Sequence, residues 1–380
     1  MIASRRVRLL EFAVDHSLVL PVGAIVALVW ANTRPETYQR FSHALLFAVN
    51  DVAMVFFFAL ATKEVVEATA PGGALHTWRR AALPVVAATG GMIGPALIYL
   101  LAVHFWGRPV LTRGWAIPCA TDIAFSYLVA RGIFRRHPAI PFLLLLAIAD
   151  DALGLIILAV FYPIGELHLF QASLLMAAAL SVSYVIRQRK ARSFWPYIVA
   201  GGSFSWAALY VGGLHPALAL VPIVPFLPHA ARDPGLFIEA PPTAHDTLSE
   251  FERSWKYPVQ VVLFFFGLVN AGVPLQQVGV GTWAVLIAIL AGKPIGIIAS
   301  VVAAVLAGLR LPARLSWADL VVVGFAAAIG FTVALFFATA AFPVGPLLDE
   351  TKMGALLSVG GSIVAFAAAA LLRVGRFERS

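Results

Sequence analysis

The sequence predicts an all-α membrane protein with about twelve transmembrane helices, because apolar runs of about 20 residues recur along the chain and each can cross a ~30 Å hydrocarbon core. Of the 380 residues, 61% are hydrophobic and 12% are charged, whereas a soluble domain carries roughly 25% charged residues. Backbone within lipid must satisfy its own hydrogen bonds, so the runs are predicted to be helices. They are too long and uniform for the alternating strands of an outer-membrane barrel.

The predicted spans follow one another with short loops, as one integral membrane domain over residues 1–380. The longest polar stretch, at about 229–256, is predicted to be a cytoplasmic linker. The spans are predicted at about 12–32, 44–63, 81–104, 114–132, 139–162, 167–186, 194–210, 212–228, 257–273, 282–308, 317–341 and 353–373.

Basic residues are distributed unevenly between the two sides of the predicted membrane. With Arg5, Arg6 and Arg8 placed in the cytoplasm, alternate loops on that side carry most of the 27 lysines and arginines. This is the positive-inside asymmetry of a membrane protein, so we predict a multi-pass protein of a bacterial inner (plasma) membrane with cytoplasmic N- and C-termini. The net charge of +8 then follows from the loops. The lipid bilayer is the predicted partner, and nucleic acid is not.

Several classes of function lack their sequence signals. The chain has no phosphate-binding loop, nucleophile elbow or HExxH motif, so neither an ATP-driven pump nor an enzyme is predicted. Intramembrane aspartyl proteases place one aspartate on each of two helices, whereas here two are adjacent. Cys119 is the only cysteine, which excludes a disulfide framework and a cysteine metal site. No cofactor is predicted.

Residues 81–163 and 282–375 are predicted to form an inverted repeat of three helices each, because short stretches align in the same order and the two segments begin on opposite sides of the membrane. Such repeats place substrate sites near the bilayer midplane, at discontinuous helices. The aligned stretches are Gly91–Gly94 with Lys293–Gly296, Asp122–Phe125 with Thr332–Leu335, and Leu145–Asp151 with Leu356–Ser362.

The middle span of each segment carries residues that weaken a helix. Pro118 lies four residues before Asp122 in the first, and Gly324, Gly330 and Thr332 lie in the second. Proline and glycine weaken helices, and freed backbone groups are tolerated where they line a cavity. We predict two broken, crossing helices; the competing interpretation is that Gly and Pro are simply common in membrane helices.

Asp150 and Asp151 lie in the middle of an apolar span, where each carboxylate costs roughly 2.5–3.5 kcal/mol on insertion scales. Adjacent side chains project about 100° apart on a helix, so one can face a water-filled pocket and the other a neighbouring helix. Repelling carboxylates in a low-dielectric site hold protons readily, and a hard cation with few oxygen ligands can displace them. Competition for the same oxygens predicts cation–proton exchange; the alternative is a structural pair satisfied by neighbouring helices.

Lys293 lies within another apolar run and needs a partner, for which Asp150 or Asp151 is the natural choice. Because burial disfavours the charged form of lysine, Lys293 could release a proton when its partner binds a cation. The alternative is a purely structural salt bridge.

Asp122 and His215 have two interpretations each, and Asp51 has one. Asp122, beside Thr121, could offset helix N-terminal dipoles near carbonyls that ligate a cation, or could only hold the broken helix together. Histidine as a residue type titrates in the physiological range, so His215 is either a pH sensor or a packed interfacial residue. Asp51 is expected to be structural.

Together these residues resemble the NhaA-type bacterial sodium/proton antiporters. The resemblance runs in order from about residue 12 to 375, and its Ala-Thr-Asp-Ile-Ala-Phe and Asp-Asp elements are highly specific. The matching stretches are Gly90–Ile93, Gly114–Pro118, Ala120–Phe125, Ala147–Asp151, Asn270–Val273, Gly292–Pro294 and Gly330–Thr332.

The resemblance implies roles by position. Asp151 would be the main carboxylate for the cation and the proton, and Asp150 would share the site and pair with Lys293 when no cation is bound. Thr121 and Asp122 would lie at the crossing of the broken helices. The family fold has twelve helices, a core domain and a dimerisation domain, and its exchange is electrogenic and serves pH homeostasis. The predicted supporting residues are thus Lys293, Asp122, Thr121 and Thr332.

Two departures from the family pattern affect regulation and assembly. After Phe56–Phe58 the chain keeps Lys63 but lacks the two acids that the family uses in its pH response. Glu64 and Glu67 are close to those positions and are candidate pH-sensing residues. The loop from Asn32 to about His43 is short where better-known members carry a β-hairpin that helps dimers form, so a homodimer is left open.

The predicted function is therefore an electrogenic sodium (lithium)/proton antiporter that works by alternating access. Sodium or lithium would displace protons from Asp151 and Asp150 and be carried as substrate. One alternative is a sodium-coupled symporter of a related inverted-repeat fold, which would need a roomier pocket with polar side chains. The other is a non-transporting membrane sensor or scaffold in which the acids set only structure.

Overall fold

The computed structural model describes residues 19–135, 137–229 and 246–377, and over these residues the chain is helical and forms no β-strand. This confirms the predicted all-α class. The helices, labelled in chain order, are α1 (Val19–Thr33), α2 (Pro35–Phe47), α3 (Met54–Thr69), α4 (Trp78–Phe105), α5 (Ile123–Phe134), α6 (Ala139–Phe161), α7 (Leu169–Gln188), α8 (Ser203–Val211), α9 (Thr247–Asn270), α10 (Val280–Ile287), α11 (Lys293–Leu306), α12 (Trp317–Ala327), α13 (Phe331–Ala341), α14 (Pro346–Leu357) and α15 (Gly361–Leu371).

The predicted number of about twelve membrane-crossing helices is not confirmed by the described residues, and it stays a prediction. Six continuous helices are long and apolar enough to span a bilayer when α2 with α3, α10 with α11, and α14 with α15 are each counted as one helix joined by a short π or 3₁₀ segment. Two bent pairs bring the number to at most eight. The predicted span at 212–228 is not a helix, since it consists of turns and the short 3₁₀ segments Pro216–Leu218 and Val224–Phe226. Its prolines lack an N–H donor and clash with the preceding turn, which explains the difference.

Two predicted features fall partly outside the described residues. The N-terminal arginines and the start of the first predicted span precede residue 19, and residues 230–245 of the predicted linker are also outside. The helix of the predicted span at 257–273 begins earlier than expected, because α9 starts at Thr247. Asp246 caps this helix, and its side chain accepts a hydrogen bond from the Ser249 N–H at 2.9 Å. The linker over 229–256 therefore stays a prediction.

The chain forms two compact units. The first unit comprises Met1–His76 and Leu155–Gly272, and the second comprises Thr77–Gly154 and Val273–Ser380. Within the first unit, α1 and α9 approach closely at glycines: a Cβ on Gly23 would lie 2.3 Å from the Phe264 carbonyl oxygen. Buried Asn50 and Asn270 exchange amide hydrogen bonds at 3.2 and 2.8 Å. The segment from Asn32 to about His43 was predicted to be a short loop without the β-hairpin of better-known members, and most of it instead lies in the helix Pro35–Phe47.

Both predicted helix breaks lie in the second unit. The 3₁₀ segments from Pro109 to Cys119 meet α5 at a bend of 53°, and α12 meets α13 at a bend of 51°. The first bend follows Pro118, and the second is at Gly330, which precedes α13. The prediction of two broken helices is confirmed.

The long helices α4 and α11 pack in the second unit through glycines, so their backbones touch. A Cβ on Gly90 would lie 2.3 Å from the Gly296 carbonyl oxygen, and a Cβ on Gly94 would lie 2.3 Å from that of Gly292. Small residues of this kind let membrane helices approach closely. The contacts place residue 90 against 296 and 94 against 292, so the two helices run antiparallel.

This reciprocal pairing bears on the predicted inverted repeat. In the alignment that matches Gly91–Gly94 with Lys293–Gly296, Gly90 corresponds to Gly292 and Gly94 corresponds to Gly296. The contact of Gly90 with Gly296 therefore corresponds to the contact of Gly292 with Gly94. Two equivalent helices related by a two-fold axis in the membrane plane would make such reciprocal contacts. The repeat over 81–163 and 282–375 stays a prediction, which this packing supports.

Candidate functional site

The two helix breaks of the second unit cross and are hydrogen-bonded to each other. The Asp122 backbone N–H donates to the Ile329 carbonyl at 2.6 Å, and the Thr121 hydroxyl donates to the Ala327 carbonyl at 3.3 Å. A Cβ on Gly330 would lie 2.9 Å from the Ala120 carbonyl oxygen, so a residue without a side chain allows the close approach. The crossing therefore satisfies backbone groups that each break would otherwise leave unpaired in an apolar region.

The Asp122 carboxylate joins the first turns of two helices. Its Oδ1 accepts a hydrogen bond from the Phe125 N–H of α5 at 3.3 Å, and its Oδ2 accepts one from the Thr332 N–H of α13 at 3.1 Å. The Thr332 hydroxyl also donates to Oδ2. Helix N-termini carry partial positive charge, so a carboxylate between two of them is stabilised. Both oxygens already accept hydrogen bonds, and a cation bound here would have to share them.

Lys293 and Asp150 form a buried ion pair in the second unit. The Lys293 Nζ lies 2.9 Å from Asp150 Oδ2, and the two side chains are 0% and 1% exposed. The Lys293 ammonium also donates to the Cys119 backbone carbonyl at the first break. Lysine therefore connects the acid pair on α6 to the broken helix before α5, and of the two candidate partners Asp150 is the one it contacts.

The two acids of α6 have different surroundings. Asp150 is 2% exposed, and its Oδ1 accepts no hydrogen bond from any residue in the described part of the chain. Asp151 is only partly buried, as expected for a neighbour that projects about 100° away around the helix. Buried carboxylate oxygens are normally hydrogen-bonded, so Asp150 Oδ1 is an oxygen left available to a water molecule, a proton or a cation.

Protein side chains alone do not make a metal cage here. Among the described residues, no group of three or more His, Cys, Asp or Glu side chains is arranged to hold a metal ion. A cation at the acid pair would therefore complete its coordination with carbonyl, hydroxyl or water oxygens, which suits a transported ion that must also leave.

Comparison with known proteins identifies the family of this chain. A sequence model of the family described as Na+/H+ antiporter 1 matches residues 8–372 of the chain. The chain belongs to this family. It is 44% identical to the Na(+)/H(+) antiporter NhaA of Desulfitobacterium hafniense, with 99% of both chains covered. It is 45% identical to the Na(+)/H(+) antiporter NhaA of Geobacter sulfurreducens, with 98% of this chain and 99% of the relative covered.

A solved antiporter structure supports the fold. The sodium proton antiporter MjNhaP1 from Methanocaldococcus jannaschii, solved at pH 8, superposes with a TM-score of 0.58. The likeness covers 98% of this chain and all of the other, at 14% sequence identity. At that identity it speaks for a shared antiporter fold alone.

The first unit of this antiporter-family chain contains a second group of charges, centred on Lys63. The Lys63 ammonium, 2% exposed, lies 3.3 Å from a Glu64 carboxylate oxygen, 2.8 Å from Glu67 and 2.8 Å from Glu252. The structure thus brings the predicted candidates Glu64 and Glu67 together. Sequence analysis missed Glu252, because it lies far along the chain within the stretch predicted to be a linker.

His215 and Asp51 form a separate group in the first unit. The His215 Nδ1 lies 3.7 Å from Asp51 Oδ1, and the Trp206 indole N–H donates to the Asp51 backbone carbonyl at 2.9 Å. His215 is 5% exposed. It was predicted as a lone histidine near the surface, and the structure instead gives it an acidic neighbour, which only tertiary contacts could supply.

The bond between Thr332 and Asp122 gives a first prediction. We expect Thr332→Val to lower the thermal unfolding midpoint of the detergent-purified protein, since a hydrogen bond to a charged acceptor contributes about 1.5–3 kcal/mol. Thr339→Val is the matched control, because the Thr339 hydroxyl bonds only to the Phe336 carbonyl of its own helix at 2.7 Å. Equal midpoints for the two variants would contradict a role for Asp122 in holding the crossing.

Proposed function

We propose that this protein exchanges sodium or lithium for protons by alternating access, with Asp150 and Asp151 as the carboxylates for which cation and protons compete. Sodium and protons as substrates follow from membership of the Na+/H+ antiporter 1 family and from the relatives named as Na(+)/H(+) antiporters. The observation that carries the site is the buried Lys293–Asp150 pair beside Asp151. A costly buried charge pair in a membrane span marks an ion pathway by default.

The cation-free site is held by Lys293. Its ammonium occupies Asp150 Oδ2 and the Cys119 carbonyl, two oxygens that suit a hard cation equally well. Sodium that binds Asp151 and then Asp150 would take over this position and separate lysine from its acid. A buried ammonium without a counter-charge is costly, so Lys293 would then release its proton.

The reverse step gives the electrogenic stoichiometry. Sodium leaves on the far side of the membrane. One proton then binds Lys293 and one binds Asp151. Two positive charges then enter for each one expelled, so the membrane potential drives exchange at about 2.3 kcal/mol per charge for each 100 mV. Thr121, Asp122 and Thr332 are proposed as supporting residues that keep the crossing beside the site intact.

The rival symporter is not favoured. An organic anion needs a pocket with polar groups, whereas a groove of about 610 Å³ in the second unit is lined by apolar side chains such as Trp283, Pro294 and Phe325. The curated relatives are named as antiporters. A transporter of this family is not expected to need a cofactor.

Location and assembly are further parts of the proposal. The chain is a multi-pass membrane protein, and we propose a bacterial inner membrane with both termini in the cytoplasm, supported by the loop charges. A homodimer is also proposed, without the β-hairpin of better-known members, since Pro35–Phe47 is helical. Mass measurement in lipid nanodiscs tests the dimer, and a purely monomeric mass would rule it out.

The central test is exchange in everted vesicles from cells that lack other sodium/proton antiporters. We expect sodium to collapse an imposed pH gradient with the wild type and not with Asp151→Asn, because an amide cannot exchange a proton for a cation. Asp349→Asn is the control, as Asp349 is an acid in the first turn of α14 and should leave exchange intact. If Asp151→Asn exchanges as the wild type does, the acid pair is not the site.

The charge-carrying role of Lys293 gives a second transport prediction. We expect Lys293→Ala to exchange sodium for protons but to lose the dependence of rate on a potassium-diffusion potential in proteoliposomes. Breaking a buried pair is destabilising by about 3–5 kcal/mol, so the double variant Lys293→Gln/Asp150→Asn, which removes both charges of the pair, serves as the folding control. Unchanged voltage dependence in Lys293→Ala would show that lysine carries no charge in the cycle.

The pH response is proposed to involve the Lys63 group, with His215 as the second candidate. Three carboxylates share one ammonium, so their ionisation depends on mutual repulsion. We expect Glu67→Gln to shift the pH of half-maximal exchange to lower values while the maximal rate is kept, because one negative charge is removed. His215→Gln is measured alongside. Profiles identical to wild type in both variants would remove these residues from the pH response.

A further inference from the structure

Two buried side-chain oxygens within the helices of the second unit accept and donate no hydrogen bond among the described residues. One is Asp150 Oδ1, which belongs to the proposed site. The other is the Ser126 hydroxyl on α5. Ser126 is 1% exposed, and a buried hydroxyl without a partner is unfavourable. Such an atom in a native fold indicates a water molecule or a ligand in the working protein.

The Ser126 hydroxyl is unusual because its own helix does not satisfy it. Buried serine and threonine hydroxyls in helices commonly bond back to a carbonyl three or four residues earlier. Other hydroxyls of the second unit do so: Ser300 to Ile297 at 2.9 Å, and Ser362 to Val359 at 2.7 Å. Ser126 makes no such bond, so its oxygen and proton stay available to another group.

The position of Ser126 places this hydroxyl at the first helix break. It lies one turn after Asp122, whose backbone carbonyl accepts the Ser126 N–H at 2.9 Å. The Cα–Cβ bonds of a helix tilt toward its N-terminus, so the Ser126 side chain lies over the first turn of α5. That turn begins where Lys293 and Asp122 hold the break.

The same face of α5 contributes to a buried core to which the acid-bearing helix also contributes. Val129 and Ala130, three and four residues after Ser126, belong to one buried apolar cluster with Leu146 and Ala149 of α6. Ala149 precedes Asp150 in the chain. The residues that carry the two unsatisfied oxygens, Ser126 and Asp150, are thus close in sequence to members of one buried apolar core.

The predicted repeat has no counterpart of these oxygens in its second half. When Asp122 is aligned with Thr332, Ser126 aligns with Phe336, and Asp150 aligns with Gly361. Both equivalent positions lack a side-chain oxygen. The hydroxyl is therefore not required by the shared helical framework, and it occurs in the half that carries the acid pair.

We propose that the Ser126 hydroxyl is a further oxygen ligand of the transported cation, used together with Asp150 and Asp151. This rests on the proposed sodium/proton exchange at the acid pair and adds a residue that sets affinity and ion preference. Hard cations bind hydroxyl, carbonyl and carboxylate oxygens. Lithium is smaller than sodium and needs fewer oxygen ligands, so the carboxylates and water can satisfy it without the Ser126 hydroxyl, whereas the larger sodium ion uses this further ligand. Losing the hydroxyl therefore weakens sodium binding more than lithium binding.

The test compares Ser126→Ala with wild type for both ions in everted vesicles. We expect the half-saturating sodium concentration to rise about tenfold, as for the loss of one hydrogen-bond-strength contact to a charge, and that of lithium to rise less. Ser126→Thr, which keeps the hydroxyl, should restore the wild-type sodium value. Ser300→Ala is the matched control, since its hydroxyl bonds only within its own helix.

Binding of ²²Na⁺ to the detergent-purified protein gives a readout that is independent of transport. We expect the same affinity loss in Ser126→Ala there. Equal weakening for sodium and lithium, or none, would overturn the ligand role, because a purely structural defect does not distinguish the ions. If wild type exchanges sodium and Asp151→Asn does not, while Ser126→Ala matches wild type, only this inference fails. If wild type shows no sodium-dependent exchange, the proposed function fails.

Discussion

A charge buried among apolar helices is tolerable only when an opposite charge or a set of dipoles neutralises it, and the second unit meets this requirement twice at one place. Lys293 neutralises Asp150 and reaches the Cys119 carbonyl. The first turns of α5 and α13 neutralise Asp122. Both arrangements use the break after Pro118. The broken helix, the acid pair and the lysine therefore neutralise the buried charges together.

The site sits on a framework whose two predicted repeats pack reciprocally but carry different charged residues. The helices α4 and α11 contact each other reciprocally through glycines, and the two breaks bend by 53° and 51°. Yet Lys293 aligns with Gly91, and Asp150 with Gly361. The framework therefore supplies a place where backbone groups are already freed, and residues that differ between the two predicted repeats supply the charges, with the acids in one and the lysine in the other. Function in this fold resides in a few side chains rather than in the architecture.

Much of this arrangement could be predicted from sequence because its signals are local. Pro118 and Gly330 weaken their helices wherever they lie, and a charge such as Lys293 stands out in any apolar run. The partner of that charge was narrowed to two adjacent acids, and choosing between them required the side-chain geometry. The Cys119 carbonyl and Glu252 were missed. Residue types do not show which backbone carbonyl a side chain contacts, and Glu252 reaches Lys63 only through tertiary folding. The span predicted at 212–228 was wrong because hydropathy ignores the missing N–H groups of its prolines.

The glycine contacts between α4 and α11 also limit how the molecule can move. Their backbones are in direct contact, with carbonyl oxygens where side chains would otherwise stand, so the two helices cannot slide or roll past each other without a collision of main chains. Lys293 begins α11 and Gly91 lies beside it on α4. The lysine side chain is therefore attached to a closely packed, rigid pair of helices. Under the proposed exchange, an ion path to either side of the membrane would then open by displacement around this pair of helices, with the lysine held still and its oxygen partners changing around it.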